Sequence, residues 1–210
     1  QFERNKYQNC HQVEKYNRFV NHSLNTDFKA GKLNIYRNQK KSLSESLPIV
    51  GINPGASYGE AKRWYPEEFA GVCVKLSGYY NILIFGGPNE KDNATDIEKI
   101  LIDKGVSNYQ NLAGKTSISE LVNHISNLDL FITGDSGPMH LAASFQVPTI
   151  SIFGPTRSNE TSQWMNDSSI IVKKNLDCQP CMKRACPLKH HDCMNLIKAA
   201  DVLKAVKSLD

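Results

Sequence analysis

The stretch FITGDSGPMHLAASFQVPTISIFG (residues 131–154) decides the fold, because it places an apolar run on each side of a helical pattern. The run that ends at Thr133 and the run over 148–154 are largely apolar and β-branched, which is typical of strands buried on both faces of a parallel sheet. Between them, Pro138 fits the first turn of a helix, where its missing N–H costs nothing. The stretch therefore predicts a strand–loop–helix–strand unit with parallel strands.

The same alternation continues along most of the chain. Short apolar runs predict strands at residues 48–53, 81–87, 128–133, 148–154 and 168–172. Helical patterns predict helices at residues 11–22, 66–77, 90–104, 117–127, 138–145 and 194–209. Such alternation indicates the α/β class, here a Rossmann-like, doubly wound parallel sheet. We expect this domain to span residues 48–210, after a lead-in helix and a polar connector ending in KKSLSES (40–46) within residues 1–47.

Size and charge limit the classes of function. The 210 residues can bury one large core, and the net charge of +4 suits an anionic ligand or peripheral contact with a membrane surface. The sequence has no Lys/Arg stripe with interleaved aromatic residues, so we expect no nucleic-acid partner. No apolar run approaches the roughly eighteen residues of a membrane span, and no signal peptide is visible, so we expect a cytoplasmic location.

The motif GDSG (134–137) allows two interpretations of Ser136. It resembles the nucleophile loop of chymotrypsin-like proteases, but those enzymes are antiparallel barrels with two glycines after the serine, whereas here Pro138 follows Gly137. A loop from strand to helix lies instead at the carboxyl edge of the sheet, where open α/β folds bind ligands. We therefore expect Ser136 to be a binding residue and not a nucleophile.

The same loop has the features of an anion site. The N–H groups and the dipole at a helix start attract phosphate, and glycines let it approach the backbone. We expect Ser136 or Asp135 to cap the helix, and His140 to donate a hydrogen bond to a phosphate or sugar oxygen. The alternative is a capped helix with a surface histidine.

Two further loops follow predicted strands. In NPGASYGEAKRW (53–64), small residues that include Ser57 precede Lys62, a combination that suits a diphosphate. FGGPNEKD (85–92) offers three polar side chains for ribose hydroxyls, namely Asn89, Glu90 and Asp92. Neither loop contains G-x-G-x-x-G, so we do not expect a nicotinamide cofactor.

A cysteine array occupies residues 178–193. Its members, in the spacing C-x2-C-x4-C-x6-C, are Cys178, Cys181, Cys186 and Cys193. In a cytosolic chain such arrays bind zinc more often than they form disulfides, although this spacing is not that of a standard zinc ribbon or finger. Two possibilities follow: a structural zinc site, or a loop of reduced thiols.

Taken together, these motifs resemble glycosyltransferase family 9. The resemblance covers about residues 49–200 and is carried by NPGASYGEAKRWYPEEFA, NLAGKTSISEL, TGDSGPMHLAASFQVPTISIFGPT and CQPCMKRACPLKHHDCM. The Cys-rich segment is similar to that of the heptosyltransferase II branch of the family. The family fold is GT-B, in which two Rossmann-like domains face each other across a cleft. The resemblance implies that this chain is the carboxy-terminal, donor-binding half, without the amino-terminal half that supplies the catalytic base.

The resemblance also implies roles for individual residues. Lys62 corresponds to the lysine that contacts the diphosphate, and Ser57 lies in the small-residue loop beside it. Thr116 corresponds to the lining of the adenine pocket. The loop that holds the phosphates and the heptose corresponds to Asp135, Ser136, Gly137 and His140. No residue of the chain matches the position of the catalytic acidic residue.

The reaction that the resemblance implies is inverting transfer of L-glycero-D-manno-heptose from ADP-heptose to the lipopolysaccharide inner core. It would take place at the cytoplasmic face of the inner membrane and would require no cofactor. Two alternatives remain open. The chain could be a non-catalytic module that binds ADP or an ADP-sugar, or a zinc-stabilised interaction domain.

Overall fold

Six parallel strands form one sheet in the computed structural model, which describes residues 10–36 and 47–209. The strands are β1 (Ile49–Asn53), β2 (Asn81–Ile84), β3 (Tyr109–Asn111), β4 (Leu130–Gly134), β5 (Thr149–Phe153) and β6 (Ser169–Lys173). The helices are α1 (Gln12–Leu24), α2 (Pro66–Leu76), α3 (Lys91–Asp103), α4 (Ile118–Ser126), α5 (Gly137–Ser144), α6 (Ser158–Thr161), α7 (Asp192–Asn195) and α8 (Ala199–Lys207). The predicted connector KKSLSES (40–46) lies outside the described residues.

The strand order is β3-β2-β1-β4-β5-β6, which confirms the predicted Rossmann-like, doubly wound α/β fold. The direction of winding reverses between β1 and β4, which are paired with each other in the middle of the sheet. The loops after these two strands diverge to opposite faces and leave a crevice at the carboxyl edge. The fold therefore provides one preferred place for a ligand.

Helices cover both faces of the sheet. The core on one side joins the sheet to α2, α3 and α8, and the core on the other side joins it to α4 and α5. β4 shows the consequence for the sequence, since Leu130 and Ile132 pack into the first core and Phe131 into the second. Both faces exclude water, so the strand is mostly apolar and does not alternate with polar residues.

The structure also differs from the sequence-based prediction, for example at β3, at β2 and at the closing helix. β3 was not predicted, because its three residues, Tyr109–Asn111, are polar or half-buried and are held by pairing with β2. β2 ends at Ile84, short of the predicted 81–87. The predicted closing helix is broken into α7 and α8, because Ile197 is fully buried and its carbonyl accepts a hydrogen bond from Trp64 Nε1 at 2.9 Å.

The lead-in helix α1 is attached to the domain through its first turn. His11 caps the helix, and its Nε2 lies 3.0 Å from the carbonyl oxygen of Ser162, while Lys15 forms an ion pair with Glu160 at 2.9 Å. No residue of α1 is buried, so this helix does not reach the core. Within the described ranges, no helix has both the length and the apolar character needed to cross a membrane.

Candidate functional site

A cavity of about 500 Å³ opens in the crevice between the loops that follow β1 and β4. The loops after β2 and β3 close its other side. All seven residues predicted to bind a donor lie in its wall, namely Ser57, Lys62, Thr116, Asp135, Ser136, Gly137 and His140. The structure thus brings together side chains from three separate sequence motifs, although their binding of a donor stays a prediction.

Lys62 occupies a fixed position at the edge of this cavity. Its Nζ lies 2.8 Å from Oδ2 of Asp135, and only 11% and 8% of the two side chains are exposed. The same carboxylate oxygen accepts a hydrogen bond from Thr156 Oγ1 at 2.7 Å, and the ammonium lies 5.1 Å from the ring centroid of Tyr58. Any anion that binds Lys62 therefore shares the ammonium with Asp135.

Ser136 occupies the N-cap position of α5, as predicted, but no side chain makes a capping hydrogen bond at this helix start. Asp135 is engaged by Lys62 and Thr156 instead. Ser136 Oγ lies 3.0 Å from Thr133 Oγ1 and accepts a weaker hydrogen bond from Asn53 Nδ2 at 3.4 Å. A side chain at Gly137 would meet no atom within 4 Å, so the backbone at the helix start is open to a ligand.

The opposite end of the cavity combines an apolar surface with one carboxylate. Ile118 and Leu121 line it beside Thr116, and Ile118 is 81% exposed, which is unusual for so large an apolar side chain. Glu90 is buried and accepts a hydrogen bond from the Gly87 amide at 2.7 Å. This end can therefore cover an apolar ring and accept hydrogen bonds from hydroxyl groups.

Two lining loops meet closely at Glu90. Gly55 lies so near the Glu90 carboxylate that a Cβ atom at this position would overlap it and the Glu90 side chain would have to move. Of the three side chains predicted for ribose hydroxyls, Glu90 lines the cavity, whereas Asn89 and Asp92 do not. Sequence reasoning also missed the contributions of Tyr58 and Thr156, because their contacts with Lys62 and Asp135 are set by the fold and not by the motifs in which they lie.

Comparison with known proteins identifies the family. Residues 2–191 match the family described as glycosyltransferase family 9 (heptosyltransferase). The chain belongs to glycosyltransferase family 9.

Several relatives of the chain are named as heptosyltransferases. The chain is 44% identical over 220 residues to lipooligosaccharide heptosyltransferase 2 of Campylobacter jejuni serotype O:2, an alignment covering 99% of the chain and 66% of that protein. It is 34% identical over 134 residues to lipooligosaccharide heptosyltransferase 2 of Haemophilus influenzae, with coverage of 63% and 39%. The solved structure of E. coli ADP-heptose LPS heptosyltransferase II superposes with a TM-score of 0.68 at 26% identity. That superposition covers 80% of this chain and 48% of the E. coli chain, so this glycosyltransferase family 9 member spans about half the length of the solved enzyme.

The cysteine array of this family 9 member folds against the back of the Lys62 loop. All four cysteines, together with Ala61, border a small cavity of about 20 Å³. Burial, and then the neighbouring thiols of Cys181, Cys186 and Cys178, raise the pKa of Cys193 to about 11. Across residues 10–36 and 47–209, no three His, Cys, Asp or Glu side chains are grouped so that they could hold a metal ion. The four thiols thus border one cavity without forming such a group, and the possible zinc site stays a prediction.

His140 faces the cavity as a neutral ring. Desolvation is the main effect and lowers the pKa of His140 below its ordinary value, while Asp135 acts in the opposite direction and His11 and Lys62 lower it further. A neutral imidazole at neutral pH donates one hydrogen bond and accepts one. His140 therefore adds a directional donor to the site and not a second fixed charge.

We predict that His140→Gln reduces the loss of stability that acidification causes. The unfolded chain protonates this histidine at the ordinary pKa, whereas the folded chain does so only at lower pH. The unfolded state therefore binds more protons in between, and the free energy of unfolding falls as the pH falls. Denaturant titrations of both proteins at about pH 7.5 and about pH 5.5 measure the difference. Equal losses in the two proteins would contradict the assigned shift.

For the cysteine array, we predict that protein purified without added zinc contains well below one zinc per chain. Chelator should leave its melting temperature unchanged, because no three thiols are arranged around a common centre. Metal analysis and a thermal melt with and without chelator test both statements. One zinc per chain, lost with a fall in melting temperature, would restore the structural zinc site.

Proposed function

We propose that the cavity binds the ADP part of ADP-heptose and that this chain is the donor-binding part of a heptosyltransferase. The main support for this proposal is the buried ammonium of Lys62 beside the start of α5, which no side chain caps. A fixed cation and a helix N-terminus together favour a diphosphate. The apolar surface at Ile118 and Leu121 suits the adenine ring, and Glu90 at the same end suits the ribose hydroxyls. His140 and Asp135 would then lie nearest the sugar.

The proposed chemistry is direct displacement with inversion. The departing ADP gains negative charge, which Lys62 and the α5 dipole stabilise without a cofactor or metal ion in the site. Displacement also needs a base for the acceptor hydroxyl. Asp135 is poorly suited to that role, because its carboxylate is engaged by Lys62 and Thr156. The base is therefore assigned to the amino-terminal domain of the complete enzyme.

The acceptor and the place of reaction are proposed from the relatives. Their names specify lipooligosaccharide or lipopolysaccharide heptosyltransferases, so we assign transfer of L-glycero-D-manno-heptose to the lipopolysaccharide inner core. That reaction would take place at the cytoplasmic face of the inner membrane. The net charge of +4 is compatible with peripheral contact there.

One alternative uses the same cavity without catalysis. The chain spans about half of the solved E. coli enzyme, and a donor-binding half alone would be a module that holds ADP or an ADP-sugar. The two functions differ in whether a sugar is transferred and not in what the cavity binds.

We predict that the 210-residue chain binds ADP but transfers no heptose. Calorimetry with ADP tests the cavity, and incubation with ADP-heptose and a heptose-bearing lipopolysaccharide acceptor tests transfer. As a control, the transfer assay is repeated with the amino-terminal domain added as a separate protein. Turnover by the chain alone would contradict the assignment of the base, and absence of ADP binding would contradict the proposed donor site.

Lys62→Ala should weaken ADP binding by about 1.5–3 kcal/mol, the scale of a charge-assisted hydrogen bond, and Ser136→Ala by about 0.5–1.5 kcal/mol. Lys62→Ala also leaves Asp135 unpaired in the cavity, where it would repel phosphate. The double variant Lys62→Ala/Asp135→Asn should therefore bind ADP better than Lys62→Ala. Lys115→Ala is a matched control, since Lys115 is exposed and does not line the cavity. A larger effect for Ser136→Ala than for Lys62→Ala would reverse the two roles.

A further inference from the structure

The Cys-rich segment (178–193) lies along the loop that carries Lys62 and bonds to its backbone. The amide of Ala61 donates to the carbonyl of Arg184 at 3.0 Å, and the hydroxyl of Tyr58 donates to the carbonyl of Met182 at 2.8 Å. Gly59 packs so closely against the Arg184 carbonyl that a Cβ atom would overlap it. The segment is thus a rigid support behind one wall of the candidate site.

His191 is the side chain that links this segment to the loop. Its Nδ1 lies 2.9 Å from the Tyr65 hydroxyl, and its Nε2 lies 2.9 Å from the carbonyl oxygen of Ala61. A carbonyl can only accept, so Nε2 carries a proton and donates it. Burial raises the pKa of Tyr65, which keeps its hydroxyl protonated and able to donate to Nδ1. Both ring nitrogens are satisfied in one tautomer, and the ring cannot rotate without losing both bonds.

The bond to Ala61 fixes the peptide unit that leads into Lys62. The carbonyl end of this unit is held by His191, and its N–H end, which belongs to Lys62, donates to the carbonyl of Gly59 at 3.2 Å. A peptide plane held at both ends sets the direction in which the next side chain leaves the backbone. That direction brings the ammonium of Lys62 to Asp135.

The backbone at His191 shows that the side chain is retained against a local cost. Its φ is 54° and its ψ is 27°, in the left-handed region that glycine and asparagine adopt most easily. Replacement by glycine would remove this cost while deleting the ring. Loss of folding and loss of positioning can therefore be separated at this residue.

We propose that His191 is a positioning residue for donor binding, acting through the Ala61–Lys62 peptide to hold the Lys62 ammonium at the diphosphate. This inference rests on the proposed function for its ligand, but the placement of Lys62 can be measured without any ligand. Asp135 restrains Lys62 at the ammonium end, and His191 restrains it at the backbone end.

The test compares His191→Gly and His191→Asn with the unchanged chain. Both variants should remain folded, because relief of the left-handed backbone offsets part of the stability lost with the two hydrogen bonds. Their Kd for ADP should rise about threefold to tenfold, the scale of one lost hydrogen bond. His190→Ala is the matched control, since His190 is the exposed neighbour whose ring contacts only Asp192 among the interactions described for it. It should leave the Kd unchanged.

Two further measurements show whether the effect passes through Lys62. In a Lys62→Ala background, His191→Gly should change the Kd for ADP by less than about twofold, because residues that act as a unit are not additive. Without ADP, acylation of Lys62 followed by mass spectrometry should be faster in His191→Gly. Lys174, which is paired with Asp201 at 2.9 Å, serves as the internal control and should react at an unchanged rate.

The possible outcomes are distinct. If the unchanged chain fails to bind ADP, the proposed donor site is wrong. Faster acylation of Lys62 in His191→Gly would still support positioning by His191 in that case. An unchanged Kd with unchanged acylation in His191→Gly would overturn the inference. The inference would also be overturned if acylation of Lys62 and Lys174 increased equally, or if the effects of His191→Gly and Lys62→Ala on the Kd for ADP were fully additive. Either result would give His191 a general structural role only.

Discussion

The pairing of β1 with β4 is the constraint on which the rest of the molecule depends. Because the winding reverses between these two strands, the loop with Lys62 and the loop with Asp135 begin side by side and then diverge. The ion pair between the two side chains joins the loops across the crevice. Burial of such a pair costs hydration energy, which offsets the Coulomb energy of the pair. We therefore infer that the pair sets the geometry of the site and adds little to stability.

The central strands were predictable because they are buried on both faces. The run of β4 is mostly apolar for this reason, so its position follows directly from the sequence. The sequence of β3 lacks that signal, because this strand is held by its hydrogen bonds to β2 and not by burial of its own side chains. The prediction of one continuous closing helix was wrong for a similar reason. The hydrogen bond from Trp64 to Ile197 joins residues that are far apart in sequence.

At the candidate site, sequence motifs predicted which residues meet but not how they interact. Asp135 had a local pattern suited to capping a helix, but the ammonium of Lys62 and the hydroxyl of Thr156 engage its carboxylate instead. His191 carried no signal beyond its place in a cysteine-rich segment, and its two hydrogen bonds span more than a hundred residues. Competition between a local and a distant partner is decided by the fold, which a local pattern does not contain.

The contact between Asp135 and Lys62 also affects how readily a ligand leaves. In the free protein the carboxylate of Asp135 is paired with the same ammonium that a phosphate oxygen would contact. The negative charge of Asp135 thus lies where the charge of the ligand would act. An arriving anion shares the ammonium with this existing partner and therefore gains less than it would from a free ammonium. When the anion departs, the carboxylate still holds the ammonium, so no buried charge is left unpaired. The cavity is thereby suited to rapid exchange of its occupant and not to its retention.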